Sequence, residues 1–418
     1  MRNLVVTASD VEAVNLVKQR LSSLKRYSSL QKNLSMDNNQ DLANLLNSIP
    51  VISKSDLIKL GNDAYSQPES KIMLFSETTG TTGNPLSTPR GQDEFSWNTY
   101  NQANAYRRHL QPGLDRIAIL HPSVMSPFVE VSARALQELG IGYVRIYPIP
   151  SVCDYERIYK ILEFHGITAI MSTPTLIYKM IYELKKVGNG VLPLMLSKLL
   201  LTGELVSKAA LSNMDQVLGR DIGAARSFVY GSSEVATVMF GTEDATYRGY
   251  LKDFIFEIEP FAENWIDDLD RPEGSTTGKL IITWLRDGIM PMLRYDTGDI
   301  FTVWKNQHAD WVFLSEGRNS DDGLNLDLRG RLTDLVYRLT CPIYKYNFLI
   351  NNKNILLLLI TNEFNPIERD AIKKQVISEL ENVLNDWSIR VIINPKDDLF
   401  YKFSPVPKTK YFQKSVSC

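Results

Sequence analysis

The run Ser76-Glu77-Thr78-Thr79-Gly80-Thr81-Thr82-Gly83-Asn84-Pro85 is the densest concentration of chemically useful residues in the chain. Two glycines let the backbone come close to an anion and turn its N–H groups inward, and the threonine hydroxyls between them add donors that can follow a polyphosphate. Taken alone, the run could equally be a polar Gly/Thr hairpin. A second group, Tyr230-Gly231-Ser232-Ser233-Glu234, offers a flat ring, a flexible turn, hydroxyls and a carboxylate in succession. Such residues can stack on adenine, touch an α-phosphate and hold Mg²⁺, although a strand-end turn with a solvated glutamate has the same composition. A third, Arg294-Tyr295-Asp296-Thr297-Gly298-Asp299, sets an aspartate after a tight turn, where its carboxylate could accept bonds from both hydroxyls of a ribose. In isolation it would be an ordinary turn.

Residues of this kind need rigid elements to aim them. Ile72 to Phe75 precedes the first run and Arg226 to Val229 the second, so each is expected at the end of a strand. Other short apolar runs lie at Arg116 to Leu120, Gly142 to Ile146, Thr168 to Met171 and Lys198 to Leu201. Helix-like segments separate them, which is the pattern of parallel α/β layers. Residues 1–48 read as amphipathic helices broken by the polar stretch Ser35 to Gln40. After about residue 250 the texture turns strand-rich, at Phe254 to Ile258, Lys279 to Thr283, Ile300 to Trp304 and Trp311 to Leu314, and predicts a β subdomain. The C-terminal part reads as a separate unit with strands at Ile355 to Ile360 and Ile389 to Ile393. Between them a helix opens at Asn365-Pro366, with Ile367, Ile372, Val376, Leu380, Val383 and Leu384 on one face.

Composition narrows the partners. At 418 residues the chain exceeds a single core. A formal net charge of −2 gives no field-level reason to expect nucleic acid or an anionic membrane, and no apolar run approaches membrane-spanning length. A small-molecule or protein substrate is expected instead. Cys153, Cys341 and Cys418 are far apart, which fits neither a disulfide framework nor a zinc knuckle and suits a reducing cytoplasm. His109, His121, His165 and His308 lack ligand spacing, so a metal is expected to arrive with a nucleotide.

In this order the three motifs resemble those of the acyl-adenylate-forming superfamily of acyl-CoA synthetases, luciferases and peptide-synthetase adenylation domains. Ser48 to Leu57, with Pro50, Lys54 and Asp56, is similar to the N-terminal signature of the phenylacetate-CoA ligase branch. Ser172 to Thr175, Leu201 to Glu204, Phe256 to Ile258 and Pro291 to Tyr295 extend the match over nearly the whole chain.

The resemblance implies an α/β fold. Its large N-terminal domain (1–329) has layered α/β sheets plus a β subdomain, and a small, mobile α+β C-terminal domain (330–418) pivots at Gly330 to Asp334. It implies that Thr79, Gly80, Thr81, Thr82 and Gly83 bind phosphates, that Tyr230 with Gly231 and Ser232 receives adenine, and that Ser233 contacts the α-phosphate. Glu234 would hold Mg²⁺, Asp299 the ribose, and Arg294 and Arg331 would lie at the nucleotide. In Val406 to Tyr411, Lys408 is the better match to the family's catalytic lysine and Lys410 the reserve, although a solvated basic tail would look the same. The acid would sit among His121, Met125, Phe128, Gly203 and Glu204, of which His121, Met125 and Phe128 could as well be packing residues at a helix entry.

The implied chemistry is ATP-dependent conversion of a small carboxylic acid to an acyl-AMP with loss of pyrophosphate, then acyl transfer to the thiol of CoA or of a carrier protein's phosphopantetheine. The sequence also departs from the family. Asn84 and Leu86 stand where the phosphate loop usually carries a lysine, Thr333 falls on the usual hinge position, and Thr340 replaces a glycine that lines the pantetheine path. These changes leave open an amine or protein-cysteine acceptor, or a degenerate module that only binds nucleotide or acyl groups.

Overall fold

The computed structural model describes residues 3–24, 27, 41–78, 85–121, 126–148, 152–219, 223–261, 271–318, 324–362, 365–395 and 412–414. Strand β1 (Leu4–Val6) is followed by α1 (Asp10–Ser23), α2 (Leu42–Ser48), α3 (Lys54–Leu60) and α4 (Gln92–Tyr106). Strands and helices then alternate through β2 (Arg116–Leu120), α5 (Pro127–Glu138), β3 (Gly142–Ile146), α6 (Tyr155–Phe164), β4 (Ala169–Ser172), α7 (Pro174–Val187), β5 (Lys198–Thr202), α8 (Lys208–Leu218) and β6 (Ala225–Ser232). A run of strands follows: β7 (Ala236–Gly241), β8 (Tyr247–Gly249), β9 (Phe254–Pro260), β10 (Thr276–Trp284), β11 (Tyr295–Lys305) and β12 (Trp311–Arg318). The last elements are α9 (Leu326–Tyr337), β13 (Ile343–Asn351), β14 (Asn354–Thr361), α10 (Pro366–Val383), β15 (Ser388–Ile393) and β16 (Phe412–Lys414).

Local chemistry places these elements. Ile117 to Leu120, Ala169 to Ser172 and Leu199 to Thr202 are buried without alternation, as parallel strands covered on both faces must be. Their helices start at recognisable caps: Thr173 with Pro174 at α7, and Ser207 at α8. The helix expected at Asn365-Pro366 is α10, closed at its start by a reciprocal capping box with Glu368. Val376, Leu380 and Leu384 of its expected face are buried, but Ile367 in its first turn is 82% exposed.

The large sheet runs β1-β9-β10-β11-β12-β8-β7-β6-β5-β4-β2-β3, and the small one β15-β14-β13-β16. The chain is thus a mixed α/β protein with a large and a small sheet. The strand-rich stretch after residue 250 does not form a sheet of its own: the pair Phe313–Tyr247 joins β12 to β8 and makes one sheet of twelve strands. Nor is Ile72 to Phe75 a strand. Only Leu74 pairs, with Arg90, while Met73 and Phe75 are 48% and 68% exposed. Thr88 N–H bonds to the Ser76 carbonyl and Thr78 N–H to that of Leu86, so the segment is one arm of an irregular surface hairpin and not part of the sheet.

The expected boundary at residue 330 and the pivot at 330–334 fall inside α9, a continuous helix whose Leu332, Leu335 and Val336 are buried. That helix stands between the last strand of the large sheet, which ends at Arg318, and β13 of the small sheet, which begins at Ile343. One apolar core runs through both parts, taking in Ile177, Tyr178, Met214 and Val217 from α7 and α8 and Tyr337, Ile343, Tyr344 and Tyr346 from the C-terminal part. Within it, fully buried Asn213 of α8 donates to the Ile343 carbonyl at 2.8 Å, accepts from the Ile343 N–H at 2.8 Å, and donates to the Tyr178 hydroxyl at 2.8 Å. Truncation would strand the backbone groups of Ile343 away from water. Asn213→Ala is therefore expected to lower the unfolding free energy by about 2–4 kcal/mol, each orphaned buried group costing roughly 1–3; a urea midpoint equal to that of the wild-type chain would refute it.

Candidate active site

In open α/β sheets, ligands bind outside the carboxyl ends of the parallel strands. Here those ends carry His121 after β2, Thr173 after β4, Gly203 and Glu204 after β5, and Tyr230 to Ser232 on β6. Gly231 is required by packing. A Cβ there would lie 2.0 Å from the Ala236 carbonyl oxygen, so only glycine lets β7 turn back this closely on β6. Ser232 uses its hydroxyl to accept the Glu234 and Val235 N–H groups at 3.2 and 3.3 Å, which shapes the turn carrying Glu234.

Two motifs far apart in sequence meet at Tyr230, whose hydroxyl donates to Asp299 Oδ2 at 2.7 Å. Its ring stands edge-on to Phe301 at 4.9 Å. Burial, followed by the Asp299 charge, drives the phenol well above its usual pKa, so it stays a donor. On the other side Arg318 Nε donates to Asp299 Oδ1 at 2.6 Å, and Arg329 of α9 donates to the Arg318 carbonyl at 3.0 Å. Asp299 draws the Arg318 guanidinium further into its charged form. Arg331, on the same helix, pairs with Asp327 at 3.3 Å and is 48% exposed, and no described bond links it to Asp299.

The first motif enters through its edges, because Thr79 to Asn84 lie outside the described residues, as do Lys408 and Lys410. Lys54, at the start of α3, donates to Thr78 Oγ1 at 3.0 Å and lies 3.6 Å from the Glu234 carboxylate. A cation thus stands between the edge of the hairpin and the acid of the second motif. The far arm of the hairpin is held by Arg90, whose guanidinium bonds to Glu94 at 3.1 Å and to the carbonyls of Ser233 and Glu234. Glu94 accepts two further N–H groups, from Gly91 at 2.6 Å and Ile289 at 2.8 Å. Both charged side chains are almost completely buried.

Arg294 is placed otherwise than the expected nucleotide contact. Its guanidinium is 8% exposed and bound to both oxygens of Glu257, at 3.0 and 2.9 Å, and to the carbonyls of Leu46 and Ile49. It ties the turn that leads to Asp299 onto α2, and so acts as an anchor. Glu204 likewise turns to the first turn of α7, accepting from Thr175 N–H at 3.1 Å and its hydroxyl at 2.7 Å. His121 and Phe128 do come together, with rings 5.9 Å apart, whereas Met125 between them lies outside the described residues.

Sequence reasoning missed Arg90, Glu94 and Arg318 and gave Lys54 no role. Glu94 had a local signal, since Gly91 with a glutamate three residues on is half a capping box. Arg318 had none. Glu234 offers a single carboxylate, a hard oxygen donor of the type magnesium takes when it arrives with a nucleotide. No group of three or more His, Cys, Asp or Glu residues among the described residues could hold a metal by itself. No described helix is long and apolar enough to cross a membrane.

Removing one partner of a buried ion pair leaves an uncompensated charge. Arg90→Met is expected to destabilise the chain by about 3–5 kcal/mol, read as a lowered urea midpoint; an unchanged midpoint would show the pair to be dispensable.

No family model and no curated protein matches the chain. Solved structures do. A 2-hydroxyisobutyryl-CoA ligase in the postadenylation state, in complex with 2-HIB-AMP, aligns with a TM-score of 0.75 at 14% identity, covering 96% of this chain and 88% of the other. The same ligase with 2-HIB-AMP and CoA in the thioesterification state gives 0.57 at 14% identity over 97% and 89%. The amide bond synthetase McbA from Marinactinospora thermotolerans gives 0.50 at 13% identity over 82% and 68%. Over almost its entire length, this chain has the fold of the acyl-adenylate-forming enzymes.

Proposed function

We propose that the chain is an adenylate-forming ligase that activates a small carboxylic acid with ATP and passes the acyl group to a thiol. The observation that carries this reading is the position of Lys54, shared between Thr78 at the edge of the phosphate hairpin and Glu234 beside the Tyr230–Asp299 pair. The edge of the first motif and the other two motifs are thereby linked near the strand ends, where open α/β sheets bind ligands.

The reaction needs no enzyme nucleophile, because the substrate carboxylate itself attacks the α-phosphorus and pyrophosphate leaves. The protein's part is to position and to balance charge. Tyr230 would lie against adenine, Asp299 would accept from the ribose hydroxyls, and Thr79 to Gly83 would cradle the phosphates. Lys54 supplies the cation that the phosphate run itself lacks. Glu234 would hold Mg²⁺, which when bound neutralises phosphate charge. Lys408, with Lys410 in reserve, would face the reacting carboxylate, and Ser233 the α-phosphate. His121 and Phe128, with Gly203, would border the acid. Arg331 would reach the nucleotide only by leaving Asp327. For the acceptor, CoA or a carrier-protein phosphopantetheine is the first choice, supported by fold likeness to a CoA ligase. An amine acceptor is the second reading, favoured by the exposed Thr340 between α9 and β13 and by the likeness to an amide bond synthetase.

Pyrophosphate release measured with a panel of aryl and alkyl acids tests the proposal. At least one acid should stimulate release, and Lys54→Ala should slow it by about 10²-fold, the loss typical of removing one charge-stabilising group from an active site. If ATP binds but no acid stimulates release, the reading fails. Adding CoA, a phosphopantetheinylated carrier or an amine to the trapped acyl-AMP identifies the acceptor. Asp299→Ala should raise KM for ATP more than it lowers kcat, since a ribose contact binds ground and transition states alike; a pure kcat effect would remove Asp299 from ribose recognition.

A further inference from the structure

At the opposite, amino-terminal ends of the same strands lies a cavity of about 400 Å³ bounded by Arg108, Lys198, Arg226, His109, Phe240 and Glu243. Lys198 opens β5 and Arg226 is the second residue of β6, whereas the candidate active site sits at the far ends of both strands. Arg226 and Tyr230 are four residues apart on β6, a separation of about 13 Å at roughly 3.3 Å per residue. The two sites share strands but no side chain.

Three cations and one carboxylate line this cavity, and the carboxylate is weakly held. Glu243 is 3.6 Å from Arg226 Nη2 and its side chain is 83% exposed, so the pair is screened and easily exchanged. Lys198 is fixed by Asp115, at 3.0 and 2.8 Å, and by the His109 carbonyl at 3.1 Å. Arg108 lies over the Phe240 ring, 3.8 Å from its centre. Gly223, at φ +100°, is moulded to the Arg226 guanidinium: a Cβ there would stand 2.7 Å from Nη2. Finally, His109 Nε2 is buried and has no hydrogen-bond partner among the described residues. Burial, then Arg226, Arg108 and Lys198, push this imidazole down to about 4, so at neutral pH it is uncharged and leaves the three cations as the positive charge of the lining.

We infer that this cavity is a second binding site, which takes a small organic phosphate. Its phosphate would displace the Glu243 carboxylate from Arg226 and be held by Arg226 together with Arg108. A phosphate group is favoured over a carboxylate because the lining carries three cations against one loosely held carboxylate, and a dianion balances that charge better than a monoanion. An organic ester is favoured over the bare ion because the cavity exceeds the size of inorganic phosphate and has Leu200, Ala224 and Phe240 on its walls. The inference is independent of the adenylation reading.

Thermal shift and calorimetry on the full chain test it, with ribose 5-phosphate, inorganic phosphate and ribose as probes at constant ionic strength. Ribose 5-phosphate should raise the melting temperature and bind more tightly than inorganic phosphate, and ribose should do neither. Arg226→Gln should weaken binding by about tenfold or more, the range for losing a charged hydrogen bond. Glu243→Gln, on an exposed side chain that the fold does not need, should tighten it severalfold, and Lys54→Ala should leave it unchanged. If inorganic phosphate binds as tightly as the sugar phosphate, the site is a simple anion site and the organic ligand is wrong. Binding that survives both Arg226→Gln and Glu243→Gln unaltered, that disappears in Lys54→Ala, or that is absent for every probe overturns the inference.

Discussion

The loops around Glu234 at the candidate active site depend on one buried ion pair, Arg90 with Glu94. A single guanidinium reaches Glu94, the Ser233 carbonyl and the Glu234 carbonyl, while Glu94 collects the N–H groups of Gly91 and Ile289. The pair thereby locks the hairpin, the turn after β6 and the loop after β10 to one another. Desolvating two charges is costly and is offset only when the remaining donors and acceptors are also matched. Such matching tolerates little movement, which suits a site that must hold loops in register without a strand to do so.

The hairpin needs that help. Its arms are joined by a few cross-bonds at Leu74, Ser76 and Thr78, and it stands outside the large sheet. On its other flank Lys54 bridges Thr78 and Glu234. The Tyr230–Asp299–Arg318 chain is a second and separate clasp, tying β6 to β11 and β12 and, through Arg329, to the start of α9. Arg318 is 55% exposed, so this clasp is partly screened by solvent, unlike the Arg90–Glu94 pair.

The small sheet is tied to the rest by a different kind of interaction. An aromatic ladder from Tyr178 through Tyr337 to Tyr346, with centroid separations of 5.9 and 5.3 Å, continues the apolar core from α7 into β13, and Asn213 satisfies both backbone groups of Ile343 within it. Any rotation of the small part against α7 and α8 would have to expose these rings and unpair that backbone. The exchange is thinkable only if an equivalent surface replaces them.

What the sequence alone determined was local or repetitive. Alternating apolar runs and helix-like segments specify the parallel part, because burial on both faces leaves no other composition for those strands. Asn365, Pro366 and Glu368 specify the start of α10, because capping is decided within four residues. Tyr230 and Asp299 were legible through the resemblance, each inside a motif. Only the tertiary structure decided which side chains meet. It joined the β-rich stretch to the main sheet through one strand pair, turned Arg294 inward to Glu257, and brought Arg318 to Asp299. It also placed Lys54 between Thr78 and Glu234. Each depends on partners dozens to hundreds of residues away, and a charged residue has the same local signature whether it will face a ligand or a buried carboxylate.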